Sequence, residues 1–162
     1  MFREMRRFRQ KLGEKECVEI LNSGREGVLA VSGDDGYPYA VPLNFVYKDG
    51  VIYFHCAKSG HKLDAIRKDG KASFCVIDKG DIVQEKFTTY FRSIIAFGRV
   101  SEVSDDGEKY ESVKALAEKY CPDFKEGIPD EIKKEWAPLN VLKFEIEHLS
   151  GKQAKELIKA EK

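Results

Sequence analysis

Two apolar, β-rich segments separated by a three-residue turn constrain the fold of this chain more than any other feature. The first segment is YAVPLNFVY (39–47), the turn is KDG, and the second segment is VIYFH (51–55). Apolar β-rich runs joined by a short turn with Asp-Gly are typical of a β-hairpin. Because so short a turn cannot carry a parallel crossover, the chain is expected to build an antiparallel sheet.

The rest of the chain repeats this pattern, with few and short helices between the strands. Further strands are predicted at 27–31, 71–77, 88–103 and 139–149, with a bulge or bend at Gly98 in the longest of them. Helices are predicted at 14–23, about 60–68, 105–120 (with Asp105 and Glu108 as a capping box), 128–136 and from about 152. The pattern predicts a mainly β, α+β fold, in which an antiparallel barrel carries peripheral helices.

The length and the charge of the chain exclude several classes of protein. A chain of 162 residues suits one domain spanning residues 1–162 with its own core. Its 28 basic and 28 acidic residues leave no net positive field for nucleic acid. No apolar run approaches the ~18–20 residues of a membrane span, and the basic start lacks the apolar core of a signal peptide. We therefore expect a cytoplasmic protein that binds neither nucleic acid nor membrane.

The cysteines give no sign of a metal or redox motif. They are Cys17, Cys56, Cys75 and Cys121. Since their spacings fit no zinc module and no C-x-x-C pair, we expect reduced and mostly buried thiols. A metal site at His55, Cys56 and His61 is disfavoured, because adjacent strand residues point to opposite faces. No metal is expected.

Residues 54–66, FHCAKSGHKLDAI, place two basic side chains where a helix ordinarily carries acidic ones. Ser59 is a good N-cap type, and the spacing of the apolar residues behind it puts His61 and Lys62 in the first helical turn. There they face the positive end of the helix dipole and unpaired backbone N–H groups. A phosphate between them would turn this penalty into an advantage. The alternative is that both side chains extend into water, at a cost of a few tenths of a kcal/mol each.

Residues 37–45, YPYAVPLNF, form an unusual strand. Pro42 cannot donate to a sheet ladder, so the strand is an edge or is locally irregular. Asn44 puts an amide among apolar neighbours, and a buried amide needs partners. Free backbone groups and one amide would suit the wall of a flat heteroaromatic ring. The alternative is an ordinary edge strand with Asn44 in solvent.

Together, residues 36–62 (GYPYAVPLNFVYKDGVIYFHCAKSGHK) resemble the nitroimidazole-resistance (Nim-like) branch of the pyridoxamine-5′-phosphate-oxidase-like flavoproteins. The resemblance covers roughly residues 15–104, and SGK at 150–152 also fits. It implies an antiparallel split β-barrel and a homodimer with FMN bound at the subunit interface.

The resemblance also implies roles for individual residues. Ser59, His61 and Lys62 would hold the flavin phosphate. The flavin ring would lie against the backbone of Tyr39, Val41, Pro42 and Leu43, with Asn44 near its polar edge. His55 would lie close to the ribityl chain, and Ser93 in RSIIAFG would contact the ring. Trp136 would either cover the ring from the partner subunit or be an ordinary core residue.

The function implied is that of an FMN-dependent oxidoreductase that reduces nitroaromatic or other small electron-poor compounds. No side chain is assigned as a catalytic acid or base, because solvent can protonate a reduced nitro group. Two alternatives stay open: a non-enzymatic flavin-binding electron carrier or redox sensor, and the same barrel binding haem or a deazaflavin. Pyridoxal phosphate synthesis is disfavoured, because no Arg follows Arg99, whereas pyridoxamine-phosphate oxidases proper hold substrate phosphate with an Arg motif near the C-terminus.

Overall fold

The computed structural model describes residues 1–158, which form four α-helices and seven strands. The helices are α1 (Glu14–Ser23), α2 (His61–Lys68), α3 (Asp106–Tyr120) and α4 (Ile128–Glu135). The strands are β1 (Glu26–Ser32), β2 (Pro38–Asn44), β3 (Val46–Lys48), β4 (Val51–Cys56), β5 (Lys71–Val83), β6 (Thr88–Glu102) and β7 (Asn140–Gln153). None of the described helices is long and apolar enough to cross a bilayer.

All seven strands belong to one antiparallel sheet with the order β2-β1-β5-β6-β7-β4-β3. The two outermost strands, β2 and β3, are consecutive in the chain, and only Phe45 lies between them. The sheet must therefore curl until its two edges approach each other at this residue. The predicted antiparallel α+β fold is confirmed. Closure into a barrel stays a prediction, because within the described residues the ladder is open between β2 and β3.

The concave face of the sheet holds the main core. Phe74 is fully buried there and packs edge-on against Phe45 and Phe54, with ring centroids 5.0 and 5.1 Å apart. Residues from α1 and α2, such as Ile20 and Leu63, complete the same cluster. Burying each of these side chains contributes about 1.5–3 kcal/mol, which fixes which face of each strand points inward.

The convex face is only partly covered. On β3, β4 and β7 it packs against α3 in a second cluster of Val46, Tyr53, Val103, Leu116 and Val141. On β1, β5 and β6 its apolar side chains stay exposed by 40–72%. They are Val28, Ile77, Ile95 and Phe97. We call this part of the sheet the open face.

Most of the predicted elements are confirmed, with differences at their ends. The predicted hairpin is present, and its turn residues Asp49 and Gly50 both have positive φ (52° and 84°), as a type I′ turn requires. The strand predicted at 39–47 breaks at Phe45, and the strand predicted at 71–77 continues to Val83. Gly98 marks a shift of register, as predicted.

The helix predicted from about residue 152 is wrong over the described residues. The strand β7 continues to Gln153, which pairs with Arg92, and a short 3-10 turn follows at Lys155–Leu157. Pairing with the long strand β6 satisfies the backbone of this segment, so the helical propensity of its sequence does not decide its structure. The last part of the predicted helix, 159–162, lies outside the described residues.

Candidate functional site

The loop between β4 and α2 leaves the start of α2 without a side-chain cap. The N-cap residue is Gly60, with φ +131°, and not Ser59 as the sequence predicted. Such a φ is open to glycine and strained for other residues, so the chain turns into the helix one residue later than expected. Ser59 is exposed. Because glycine offers no capping oxygen, the first backbone N–H groups of α2 point outward and stay available to an anion.

His61 joins this helix start to strand β2. Its ring lies 4.2 Å from the ring of Tyr39, centroid to centroid, at an interplanar angle of 33°. Its Nε2 atom lies 3.6 Å from Oδ2 of Asp34 in the turn before β2. The Lys68 ammonium, 3.1 Å from the same carboxylate, and the charge of His61 both lower the pKa of Asp34. His61 therefore already has an acidic neighbour at the positive end of the helix.

Lys62 has no such neighbour. Among residues 1–158, no carboxylate lies within 4 Å of its ammonium group. The Lys62 side chain is half-buried, and its positive charge affects the thiol of Cys56. Burial raises the pKa of that thiol, and the charge of Lys62 opposes the increase. An ammonium without a counter-ion, beside uncapped N–H groups, is a donor set that fits a phosphate dianion.

Strand β2 is the edge strand that Pro42 predicted. It is hydrogen-bonded only to β1, so along its other side backbone groups of alternate residues point away from the sheet. Tyr39, Val41 and Leu43 pack on the main core, whereas Pro42 faces outward and is exposed. A ring placed against β2 would therefore contact backbone along the edge rather than those three side chains.

The far end of β2 is fixed by α3. Asn44 is exposed and donates from Nδ2 to the carbonyl of Arg25 at 2.9 Å, so its amide already has a partner. The Tyr120 hydroxyl donates to the same carbonyl and accepts the Phe45 N–H at 3.0 Å. Lys119 Nζ donates to the Phe45 carbonyl at 2.9 Å. We call Lys119 and Tyr120 the corner clamp, because they hold the residue at which the two sheet edges meet.

Two predicted residues lie apart from this cluster. His55 is exposed on β4, where it pairs with Val141 on the convex side. Ser93 lies on β6 opposite Ile77, three strand spacings from β2, or ~14 Å across the sheet. The structure therefore brings His61 to the Tyr39 end of β2, with Lys62 next to His61 in the helix, but it leaves Ser93 apart from them.

Trp136 is neither a core residue nor close to these groups. It is half-buried at the end of α4, and the Lys109 ammonium lies 4.1 Å from the centroid of its ring. The Lys109 Nζ atom also donates to the Trp136 carbonyl at 3.1 Å. These contacts tie α4 to α3.

All four cysteines are free thiols; Cys17 is buried, Cys121 is exposed, and the other two are half-buried. Over residues 1–158, no three His, Cys, Asp or Glu side chains come together in a group able to hold a metal ion.

Sequence analysis missed Asp34, Lys119 and Tyr120. Asp34 looked like an ordinary turn residue, and only its distance to His61 reveals the ion pair. Tyr120 fits the apolar spacing of α3, which predicts a core residue and gives no hint that its hydroxyl bonds a strand 75 positions away. Local sequence carries no signal for such contacts.

Comparisons with known proteins agree with this architecture. The sequence model of the family described as pyridoxamine 5′-phosphate oxidase matches residues 13–153, and the chain belongs to that family. Comparison with curated proteins gives no match.

Several solved structures share the fold. A candidate 5-nitroimidazole antibiotic resistance protein of Bacteroides thetaiotaomicron superposes with a TM-score of 0.71 at 18% identity, over 88% of this chain and 85% of the other. An FAD-binding protein of Mesorhizobium loti gives 0.67 at 27% identity, over 90% and 97%. An FAD and heme binding protein of Mycobacterium smegmatis gives 0.76 at 19% identity, over 94% and 77%.

Proposed function

We propose that this chain binds FMN and acts as a flavin-dependent oxidoreductase on small electron-poor compounds. The observation that carries the proposal is the Lys62 ammonium, which has no carboxylate within 4 Å among residues 1–158 and stands at the uncapped start of α2. Family membership adds support, since two structural neighbours are named as FAD-binding proteins.

The phosphate end of the ligand is the best defined part of the proposed site. Lys62 donates from its ammonium, the first N–H groups of α2 donate from the backbone, and Ser59 is exposed next to them. FMN, with a terminal phosphate dianion, matches these donors at the positive end of a helix. Two carboxylates near this helix start are unfavourable, and each has a basic partner: Asp34 is paired with Lys68 at 3.1 Å, and Asp64 in the first turn of α2 lies 3.8 Å from Arg67.

We place the ring end of the flavin along the edge strand β2. From Tyr39, whose ring contacts that of His61, the strand runs five residues to Asn44, about 17 Å. Outward-pointing backbone groups on this edge would pair with the carbonyls and nitrogens of a flavin ring. The corner clamp would keep that edge in place, because it fixes the carbonyl and the N–H of Phe45.

When bound, the flavin supplies the two-electron chemistry, and the protein binds and orients it. The residues that we assign are all binding residues, and none is assigned as a general acid or base. Reduction of nitroaromatic compounds is the reaction that we favour, on the basis of the resemblance of residues 36–62 to the Nim-like branch.

We further propose that residues 1–162 form one cytoplasmic flavin-binding unit that works as a homodimer. The open face supports this, since Val28 and Ile95 lie in one row of the sheet and are 40% and 42% exposed. Two-fold pairing would bury this apolar surface. It would also allow Ser93, on the same face, to reach the ring bound by the other subunit.

Titration with two flavins tests the proposal. An absorption spectrum of the purified protein first distinguishes a flavin from haem or an empty protein. Apo-protein is then titrated with FMN and with riboflavin, which lacks the phosphate. Lys62→Ala removes a charge-assisted contact of about 1.5–3 kcal/mol, so FMN binding should weaken roughly tenfold to a hundredfold while riboflavin binding changes little.

Lys58→Ala is the matched control, because Lys58 is exposed in the same loop. It should leave both affinities nearly unchanged. Equal losses for FMN and riboflavin in Lys62→Ala, or no loss for FMN, would show that Lys62 is only a solvated residue at a helix end.

A further inference from the structure

We propose that a trough on the open face binds a planar aromatic carboxylate. The trough has a volume of about 440 Å³ and lies over the end of β1 and the start of β5. Sites for small molecules are usually roughly 300–1,000 Å³.

Small side chains form the floor of the trough. Ala30 pairs with Ser73, and Ser73 pairs with Phe97, so these three residues stand in one row of the sheet. The first two carry at most one heavy atom beyond Cβ, whereas the third carries a ring. Because the side chains of Ala30 and Ser73 are shorter than that of Phe97, they form a flat, shallow floor beside an aromatic wall. Such a surface suits a planar ring.

Contacts with neighbouring groups fix the two aromatic walls of the trough. The ring of Phe97 stacks against Phe2 at 5.5 Å and 27°, and Phe2 stacks in turn on His148 at 4.8 Å and 12°. Tyr37 borders the opposite side and is 77% exposed. Its backbone N–H donates to the Asp34 carbonyl at 3.0 Å, so the turn that presents it is closed. Aromatic faces favour stacked or edge contacts with another ring.

The charge of the trough comes from Lys71. Over residues 1–158, no carboxylate lies within 4 Å of its ammonium group, whereas its cross-strand neighbour Arg99 is paired with Glu147 at 3.2 Å. Nearby Lys68 is paired with Asp34 at 3.1 Å. Lys71 is therefore the cation that this end of the open face leaves for a ligand.

The spacing along β5 fits a ring with an anionic substituent. Lys71 and Ser73 are two residues apart and point to the same side of the sheet, about 7 Å from each other. A ring resting on Ser73 would direct its carboxylate toward the ammonium of Lys71. A neutral aromatic compound would gain the ring contacts but not the ionic one.

The trough adjoins the proposed flavin site. Gly33 lines the trough, and a side-chain carbon at this position would lie 3.5 Å from Nε2 of His61. In the proposed dimer, the second subunit would cover the neighbouring row of Val28 and Ile95 and so border the trough. A ring bound there would lie near the phosphate end of a flavin held at His61 and Lys62.

The test uses 4-nitrobenzoate and the neutral 4-nitrobenzyl alcohol as probes, with binding to the purified full chain followed by calorimetry and by NMR of the probes. Wild type should bind the carboxylate more tightly than the alcohol. Lys71→Met should weaken carboxylate binding roughly tenfold, as expected for one charge-assisted contact, and leave alcohol binding unchanged. Lys79→Met, an exposed lysine further along β5, is the matched control and should change neither.

A second variant tests the location. Ser73→Leu fills the floor and should abolish binding of both probes while the melting temperature stays near that of wild type. The proposal is wrong if wild type shows no saturable binding, if Lys71→Met binds the carboxylate as wild type does, or if Ser73→Leu binds both probes normally.

Repeating the titration with saturating FMN separates this inference from the proposed function. If the protein binds FMN but not 4-nitrobenzoate, the proposed flavin site stands and the proposed trough site is wrong. If the protein binds 4-nitrobenzoate through Lys71 but binds no flavin, the trough is a ligand site and the proposed oxidoreductase function is wrong. If FMN displaces 4-nitrobenzoate, the trough belongs to the flavin and the proposal is wrong.

Discussion

The ammonium of Lys119 donates a hydrogen bond to the carbonyl of Phe45 at 2.9 Å and lies 4.1 Å from the centroid of the same residue's ring. Phe45 is the residue at which the two edges of the sheet meet, and its N–H donates to Tyr120. The end of α3 therefore fixes a strand junction 75 residues earlier in the chain. This contact links the helical layer to the edge strand on which the proposed flavin site depends.

The stability of the protein should depend on the titration of Lys119. Burial, assisted by the charge of Arg25, lowers the pKa of Lys119 to about 8. An unfolded lysine has a pKa of about 10.4. Between about pH 8 and pH 10.4, Lys119 is protonated in the unfolded state and largely neutral in the folded state. Raising the pH through this range therefore increases the free energy of unfolding.

The measurement is the free energy of unfolding in urea for wild type and Lys119→Met across this range. The free energy of unfolding of wild type, minus that of Lys119→Met, should rise with pH. The slope is at most about 1.4 kcal/mol per pH unit, and it is smaller because solvent screens a partly buried ammonium. Thiols and tyrosines also titrate here, but they are the same in both proteins. A difference that stays constant or falls with pH would contradict the assignment.

Tyr120→Phe should destabilise the fold by about 1–3 kcal/mol, because it leaves the N–H of Phe45 without its side-chain partner and leaves the carbonyl of Arg25 with Asn44 alone. Urea denaturation measures the loss. Tyr110→Phe on the same helix is the control, since no hydrogen bond of its hydroxyl is found within residues 1–158. Its effect should stay within about 0.5 kcal/mol. Equal effects for both variants would argue against the corner clamp.

The sequence predicted the features that depend on local chemistry. The Asp-Gly turn, the edge position of Pro42 and the irregularity at Gly98 follow from the backbone preferences of those residues, and all three are present. The capping box of α3 is half present: Asp105 accepts the N–H of Glu108 at 2.7 Å, but the Glu108 carboxylate binds the Tyr53 hydroxyl instead.

What the sequence could not predict depends on the backbone geometry of a loop and on contacts between distant residues. The N-cap of α2 shifted from Ser59 to Gly60 because the loop backbone adopts a φ that glycine alone accepts readily. The ion pair of His61 with Asp34 joins residues brought together only by the sheet. The trough at Lys71 likewise needs the register of three strands, which no local pattern gives.

Gly98→Ala should be severely destabilising, while Gly80→Ala on the neighbouring strand should be harmless. A side-chain carbon at Gly98 would overlap the carbonyl oxygen of Glu145 in the adjacent strand, whereas one at Gly80 would have no atom within 4 Å. Backbone overlap cannot be relieved by rotating a side chain, so we expect a loss of more than about 3 kcal/mol for Gly98→Ala. Thermal melts of both variants measure this. A melting temperature for Gly98→Ala near that of wild type would mean that the sheet is looser here than it appears.

A charge on the open face should separate the proposed dimer. Ile95→Lys introduces an ammonium in the row that also contains Val28, and pairing two copies would then bury two like charges. Sedimentation should give twice the mass of the chain for wild type and one chain mass for Ile95→Lys. Phe124→Lys, at a residue 76% exposed beside α3 and α4, is the control and should remain dimeric. A monomeric wild type would contradict the shared site.

Removing the Asp34 carboxylate should tighten FMN binding. Asp34 lies 3.6 Å from His61, and because Lys68 and His61 lower its pKa, it is ionised at neutral pH. It therefore places a negative charge beside the helix start proposed to receive a phosphate dianion. Asp34→Asn keeps the shape and removes that charge, so the dissociation constant of FMN should fall a few-fold, and more at low ionic strength, where screening is weak. Riboflavin, which has no phosphate, should be unaffected. Asp35→Asn is the control, because no ion pair of that carboxylate is found within residues 1–158. Weaker FMN binding by Asp34→Asn would instead show that Asp34 is needed to orient His61.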